Sequence, residues 1–379
     1  MTLNKKIRVA VLYGGRSGEH EISQQSATAV IKNLDPNRFE VVPIGIDKKG
    51  HWLQGDIKNL HYSEDGKALL LPQAPNTVFL PPHPQNHPQL KAETHPELGQ
   101  KIDVVFPVLH GTMGEDGTVQ GLFDLADIAY VGCGLLASAV GMDKDVAKRL
   151  VSAAGVKVAP YVAFTHGEWK HFSSKLSEQI AAQLYFPVFV KPANAGSSLG
   201  VSKVKSAEEL AAAVDNAFLY DTKILVEKAI NGREIELSAL ENIDYGQDAL
   251  ISIPGEIIPH HEFYSYEAKY LDPEGAGLAI PAKLSPEQTQ TVQAAAKTIF
   301  RVLECEGMAR VDFFLDRDTG EFIFNEINTI PGFTTISMYP KLWNASGIGY
   351  QELLSKLIDL AIARHDRKQS LKREWVPNT

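Results

Sequence analysis

Residues 7–13, IRVAVLY, form a mainly apolar, β-rich run that stops at Gly14 and Gly15 and leads into a segment, residues 23–34, with apolar positions at helical spacing. That order is a strand, a tight loop and a helix. Residues 39–46 give a second strand, and the apolar centre of KIDVVFPVLHG gives a further one, buried on both faces. A chain that starts this way folds as an α/β unit around a parallel sheet. Residues 50–100 carry little periodicity, and LPPHPQNHPQL reads as a surface excursion. Its histidines lack an acidic or cysteine partner at metal-ligand spacing, which favours an exposed polar loop over a metal site.

Residues 135–154 read as one helix, and GVKVAPYVAF as a glycine break followed by a strand. A second unit runs through YFPVFVKP, the loop ANAGSSLG, VSKV, the helical SAEELAAAVDNAFLY and the strand KILVEKAI, which describes a smaller α+β lobe. A third region holds an irregular stretch at 254–281, a helix at 286–303, the strands ARVDFFLD and EFIFNEIN around the turn RDTG, and a last helix at 349–364 before a charged tail. The expected domains are 1–137, 138–238 and 239–379, in keeping with about 100 to 200 residues per domain. A net charge of −9 leaves no broad basic surface for nucleic acid, and no run approaches about 18 consecutive apolar residues, so neither nucleic-acid binding nor membrane insertion is expected. Cys133 and Cys305 are too few for a disulfide framework or a cysteine metal site, and a reducing, cytoplasmic setting is the expectation.

FVKPANAGSSLG ends a strand at Lys191 and continues into a loop of small residues that includes Ser197 and Ser198. Small residues let backbone N–H groups approach a phosphate, while Lys191 adds positive charge; a glycine-rich surface turn is the plain alternative. The order GxxxxGK[ST] of a P-loop is absent. In FIFNEIN the two-residue period puts Glu326 and Asn328 on one side, and Asp312 on the neighbouring strand can add a third oxygen. Such a set suits Mg2+ with nucleotide phosphates, against the alternative of an exposed polar edge. Phe322 and Phe324 share that parity, so this face should change from packed to polar along its length. Arg310, two residues before Asp312, shares its strand face and could meet a phosphate or an oxyanion, or complete a salt bridge. Lys269 and Tyr270 in FYSYEAKY suit a lid that excludes water, or plain aromatic packing. Glu19 lies near a helix start, as a cap or as the holder of an ammonium group. His110, Glu115 and Asp116 occupy a glycine-rich loop past a buried strand, a favoured place for substrate contacts in parallel sheets. No Ser/His/Asp hydrolase order accompanies a GxSxG elbow, and GGRSGEH lacks the GxGxxG order, which speaks against hydrolase and dinucleotide-binding readings.

Together, GGRSGEHEIS, HGTMGEDGTVQG, MDKD, VKPANAGSSLG, EKAINGREIE, YEAKY, GMARVDFF and NEINTIPGFTTISMYP resemble the D-alanine–D-alanine ligase family of the ATP-grasp superfamily, in the expected order over about residues 7–345. The resemblance implies a three-domain ATP-grasp fold, α/β and α+β, with ATP between the central and C-terminal domains. It also implies ligation of two D-alanine molecules through D-alanyl phosphate, with two Mg2+ ions that Mn2+ can replace, for peptidoglycan precursor synthesis. By the same resemblance Lys144, Lys191 and the lid residue Lys269 contact ATP phosphates, Glu227 and Lys228 fall where adenine is held, and Glu234 where the ribose is held. Asp312, Glu326 and Asn328 are similar to the magnesium-bridging trio. Glu19 resembles the residue that orients the first D-alanine ammonium through a network with Ser197 and Tyr270. Arg310 and the Gly332 amide resemble the groups facing the acyl phosphate and the tetrahedral intermediate. Ser337 and Met338, the latter often Leu in the family, fall where the second D-alanine carboxylate is fixed, and His110 in a substrate-facing element. Tyr270 resembles the dipeptide-forming type; ligases making D-alanyl-D-lactate or D-alanyl-D-serine, and other ATP-grasp carboxylate–amine ligases, stay as alternatives. Homodimers are common in the family.

Overall fold

The computed structural model describes residues 5–73, 76–85, 88–92, 100–259, 276–373 and 375. Among the described residues the chain forms three sheets. The first holds β1 (Ile7–Gly14), β2 (Phe39–Ile46), β3 (Trp52–Gln54), β4 (Asn76–Phe79), β5 (Lys91–Ala92), β6 (Val104–Pro107) and β7 (Ala129–Tyr130), in the order β5-β4-β3-β2-β1-β6-β7. Strands β2, β1, β6 and β7 run parallel, as the apolar runs predicted, and Val9 to Leu12 have no exposed surface. The expected surface excursion at 50–100 is corrected in part, because β3, β4 and β5 add to this sheet in antiparallel fashion. Their short lengths gave no readable period.

Helix α1 (His20–Asn33) follows the Gly14–Gly15 turn. Both glycines have positive φ, and a Cβ on Gly14 would collide with the Ile46 carbonyl, which accepts from the Gly15 N–H at 2.8 Å. Next come α2 (Thr118–Ala126), α3 (Leu135–Met142) and α4 (Lys144–Ala153). The single helix expected at 135–154 is thus two helices. Asp143 divides them, its carboxylate accepting from the backbone N–H groups of Asp145 and Val146 as the N-cap of α4.

The second sheet holds β8 (Tyr161–Thr165), β9 (Val188–Pro192), β10 (Ser202–Val204) and β11 (Lys223–Lys228), ordered β10-β9-β11-β8, with α5 (His166–Leu184) and α6 (Ala207–Ala217) sharing its core. The third holds β12 (Gly232–Leu240), β13 (Leu250–Ile251), β14 (Gly255–Pro259), β15 (Ala276–Ala279), β16 (Met308–Asp316) and β17 (Phe322–Asn328), ordered β15-β14-β12-β16-β17 with β13 beside β12. Helix α7 (Pro286–Val302) packs Val292, Ala296, Ile299 and Phe300 against this sheet, and α3 and α4 reach the same core. The expected boundaries after residues 137 and 238 fall inside α3 and β12. After α8 (Met338–Ala345), α9 (Tyr350–Gln369) turns back onto the first sheet, where Leu353, Leu354, Leu357 and Ile358 are buried with Val9, Val11, Val104 and Phe106. Its Arg364 guanidinium donates to the Gly132 carbonyl at 2.7 Å and the Tyr130 carbonyl at 2.6 Å. Among the described residues no helix is long and apolar enough to cross a membrane.

The shared face of Phe322, Phe324, Glu326 and Asn328 is also corrected. The ladder pairs Phe313 with Phe324 but Asp312 with Glu326, so a β-bulge at Asn325 shifts the parity. Phe324 and Ile327 enter the core, Phe324 packing edge-on against Phe313, while Asn325 and Glu326 turn to the cleft. Replacing Gly14 with Ala is expected to destabilise the fold by about 2 kcal/mol or more, through the strained φ and the Ile46 clash, read by urea denaturation.

Candidate active site

Lys191, near the end of β9, places its Nζ 2.6 Å from Glu227 Oε2 and 3.5 Å from Asn325 Oδ1. The other Glu227 oxygen, Oε1, lies 2.6 Å from Nζ of Lys148 on α4. Burial alone would raise the Glu227 carboxyl, but the two ammonium groups outweigh it and hold it below the usual carboxylate range. Lys144, the first residue of α4, donates to the Ala195 carbonyl at 2.8 Å and lies 3.5 Å from Glu326 Oε2. With Ser198, Lys228 and Glu234 these groups line a cavity of about 370 Å3 between the second and third sheets.

A second cavity of about 170 Å3 is lined by Glu19, His110, Gly332, Ser337 and Met338. Ser197, Arg310 and Glu326 line both cavities, so the two adjoin. Glu19 stands at the N-cap position of α1 but makes no side-chain cap bond; its carboxylate instead accepts from Ser197 Oγ, across from the second sheet. Gly111 and Gly196 make room for it, since a Cβ on Gly111 would lie 2.7 Å from Glu19 Oε2 and one on Gly196 would sit closer still. Ser197 and Ser198 adopt left-handed backbone, with φ of 48° and 60°, which turns the small-residue loop over the cleft. Ser337 is the N-cap residue of α8, and its Oγ accepts from the Thr334 N–H at 3.0 Å. Met338 packs with Ile257 and Leu342, an apolar wall beside that hydroxyl.

Arg310 on β16 grips Asp312 with two bonds of 2.8 and 2.7 Å, and its Nε lies 3.1 Å from Glu236 Oε2. Burial opposes its charge, yet Asp312 and Glu236 hold the guanidinium well above its ordinary value. Asn328 donates from Nδ2 to Asp312 Oδ2 at 3.0 Å. Asp312, Glu326 and Asn328 therefore meet on adjacent strands, as their spacing predicted. Two carboxylates and one amide oxygen make a hard, oxygen-only donor set, which fits Mg2+ completed by phosphate and water, provided Arg310 yields part of Asp312. Among the described residues no group of three or more His, Cys, Asp or Glu is placed to hold a metal, so this amide-containing trio is the candidate. Lys269 and Tyr270 lie outside the described residues.

The two family models described as D-ala D-ala ligase N-terminus and D-ala D-ala ligase C-terminus match residues 8–133 and 150–359. The chain belongs to the D-alanine–D-alanine ligase family. It is similar to D-alanine–D-alanine ligase A of Bradyrhizobium diazoefficiens, with 53% identity over 98% of this chain and 99% of that one. It is also similar to D-alanine–D-alanine ligase A of Escherichia coli, with 44% identity over 97% of this chain and 99% of that one. Among solved structures, the D-alanine-D-alanine ligase from Coxiella burnetii matches with a TM-score of 0.77 at 35% identity, covering 96% of each chain. The VanG D-Ala:D-Ser ligase from Enterococcus faecalis matches with a TM-score of 0.78 at 38% identity, covering 94% of this chain and 100% of that one.

Several residues of this ligase-family site escaped the sequence reading. Lys148, Glu236 and Asn325 carry no local signature, because each matters only through a partner on another element. His110 also differs from a free substrate contact. Its Nδ1 donates to the Ile330 carbonyl at 3.1 Å, and its Nε2 accepts from Ser26 Oγ at 3.0 Å, so both ring nitrogens are engaged within the protein. Glu115 accepts from the Gly111 N–H at 2.7 Å and from the Ile330 N–H at 3.2 Å. Burial, and next the nearby Glu19 charge, push its carboxyl up to about 8. An unfolded glutamate titrates near its ordinary value of 4.5, so between that value and about 8 the unfolded chain has lost the proton and the folded one still holds it. Stability contributed here is full below the lower value and falls as pH rises through the upper one. Glu115→Gln, which cannot ionise, is expected to gain in melting temperature relative to the unsubstituted protein as pH goes from 5 to 9, followed by thermal unfolding at each pH.

Proposed function

We propose that this protein joins two D-alanine molecules into D-alanyl-D-alanine, consuming ATP and releasing ADP and phosphate, for peptidoglycan precursor synthesis. The observation that carries the reading is the meeting of the two cavities at Ser197, Arg310 and Glu326. One side offers lysines suited to phosphates, the other the Glu19 carboxylate and the Ser337 hydroxyl suited to amino acids. The names of the similar ligases from Bradyrhizobium diazoefficiens and Escherichia coli support the same substrate.

In this reading Lys144, Lys191 and Lys269 hold the ATP phosphates with Ser198, while Lys228 and Glu234 address adenine and ribose. The Glu227 carboxylate is taken up by lysines, which leaves its backbone for the base. Asp312, Glu326 and Asn328 would hold two Mg2+ ions, or Mn2+, whose chemistry is to neutralise charge on the phosphoryl oxygens. Glu19, aligned by Ser197 and Tyr270, holds the ammonium of the first D-alanine so that its carboxylate points at the γ-phosphorus. Attack there forms the C–O–P bond of D-alanyl phosphate and breaks the bond to ADP. The amine of the second D-alanine, seated by Ser337 and Met338 near His110, then attacks the acyl carbon. Arg310 and the Gly332 amide stabilise the developing oxyanion, and phosphate leaves. Three lobes, with divisions near residues 137 and 238, a homodimer and a cytoplasmic setting complete the proposal.

A second substrate bearing a hydroxyl has support in the similar D-Ala:D-Ser ligase. The apolar side chains of Met338 and Ile257 that line this cavity favour a methyl group, and such a wall rejects an added hydroxyl only by about 100-fold. The test is ADP release with Mg-ATP and D-alanine, L-alanine, or D-alanine with D-serine or D-lactate, with products identified by mass. D-alanyl-D-alanine as the main product, with D-serine weaker by about 100-fold in kcat/KM, is expected. A mixed ester from D-lactate, or no turnover of D-alanine, would overturn the specificity or the substrate respectively. Ser337→Ala should raise KM for D-alanine about 10-fold or more through the lost carboxylate contact, while KM for ATP holds.

A further inference from the structure

Lys148 is almost wholly buried, with 1% of its side chain exposed, and Glu227 shows 4%. Its amino group is shared between Glu227 Oε1 at 2.6 Å and the Phe324 carbonyl at 3.3 Å. The Phe324 carbonyl belongs to edge strand β17, immediately before the bulge that turns Asn325 and Glu326 to the cleft. Glu227 Oε2 meanwhile holds Lys191 at 2.6 Å. One carboxylate thus serves two ammonium groups, one inside the protein and one facing the nucleotide-sized cavity. Burying a charged lysine costs desolvation free energy, and an apolar side chain of similar length beside the Phe324 ring would avoid that cost. A stabilising role alone therefore leaves the charge unexplained.

We propose that Lys148 is a positioning residue for nucleotide binding: by occupying half of Glu227, it keeps Lys191 from being neutralised inside the protein and leaves its charge for the ligand phosphates. This rests on the nucleotide reading of the larger cavity. Without Lys148, Glu227 and Lys191 form a closed, neutral pair that phosphate oxygens must break. With it, Lys148, Glu227 and Lys191 together sum to one positive charge, set against the Glu326 and Glu234 carboxylates that face the same cavity. The role runs through Glu227, so it vanishes once Glu227 is uncharged.

The experiment is calorimetric titration of the full chain with Mg-ADP, beside KM for D-alanine and thermal unfolding. Lys148→Met is expected to weaken Mg-ADP about tenfold, the scale of one charge-assisted hydrogen bond, with KM for D-alanine held. Glu227→Gln and the double variant Lys148→Met/Glu227→Gln are expected to bind Mg-ADP within about threefold of each other. That comparison stands even where Lys148→Met alone does not fold. Lys148→Met binding as tightly as the unsubstituted protein would overturn the proposal. So would a double variant much weaker than Glu227→Gln, since a purely structural Lys148 matters whatever Glu227 carries. Failure of the unsubstituted protein to bind Mg-ADP would instead count against the nucleotide reading itself.

Discussion

Ile330 is held at both of its backbone groups from across the molecule. Glu115 takes its N–H and His110 donates to its carbonyl, and both side chains come from the loop that follows β6 of the first sheet. Two further bonds fix Phe333: its N–H donates to Ser26 on α1, and its carbonyl accepts from Tyr350 at 2.6 Å on α9. Gly332 lies between these clamped points, in the loop that follows the strand carrying Glu326 and Asn328. The smaller cavity thus has one wall from the first sheet and one from the third, and neither is placed without the other. Buried polar groups in this network are satisfied in pairs, which gives it a single arrangement and makes each partner costly to remove.

The cleft is built from charges that already have partners. Arg310 is held by Asp312 and Glu236, Lys191 shares Glu227 with Lys148, and Lys144 lies near Glu326. A site of this kind exchanges internal ion pairs for ligand contacts. The exchange limits affinity but keeps the buried groups compensated when nothing is bound.

Much of this was legible in the sequence for a local reason. Gly14 and Gly15 announced the first turn because only a backbone free of Cβ fits beside Ile46, and the apolar run before them announced a central strand. Strand period put Glu326 and Asn328 on one side, and the turn RDTG put Asp312 on the strand beside them. The bulge at Asn325 was not legible, since a single inserted residue leaves no mark in composition, and it moved Phe324 to the opposite face from Glu326. The break between α3 and α4 was hidden because Asp143 sits in a segment with good helical spacing on either side. Lys148 was invisible for a different reason: its partners, Glu227 and Phe324, lie on two other elements, and only the folded arrangement brings them together.

Helix α9 buries Leu353, Leu357 and Ile358 among strands from the opposite end of the chain, and Arg364 ties off the carbonyls of Tyr130 and Gly132. During synthesis the β1, β2 and β6 strands leave the ribosome long before that helix exists. One apolar face of the first sheet then waits with only α1, through Ala27 and Val30, to cover it for most of translation. The nascent chain carries a sticky surface that its own last helix must reach before another molecule does, so the rate of elongation and the availability of chaperones set the yield of this protein as much as its final stability does.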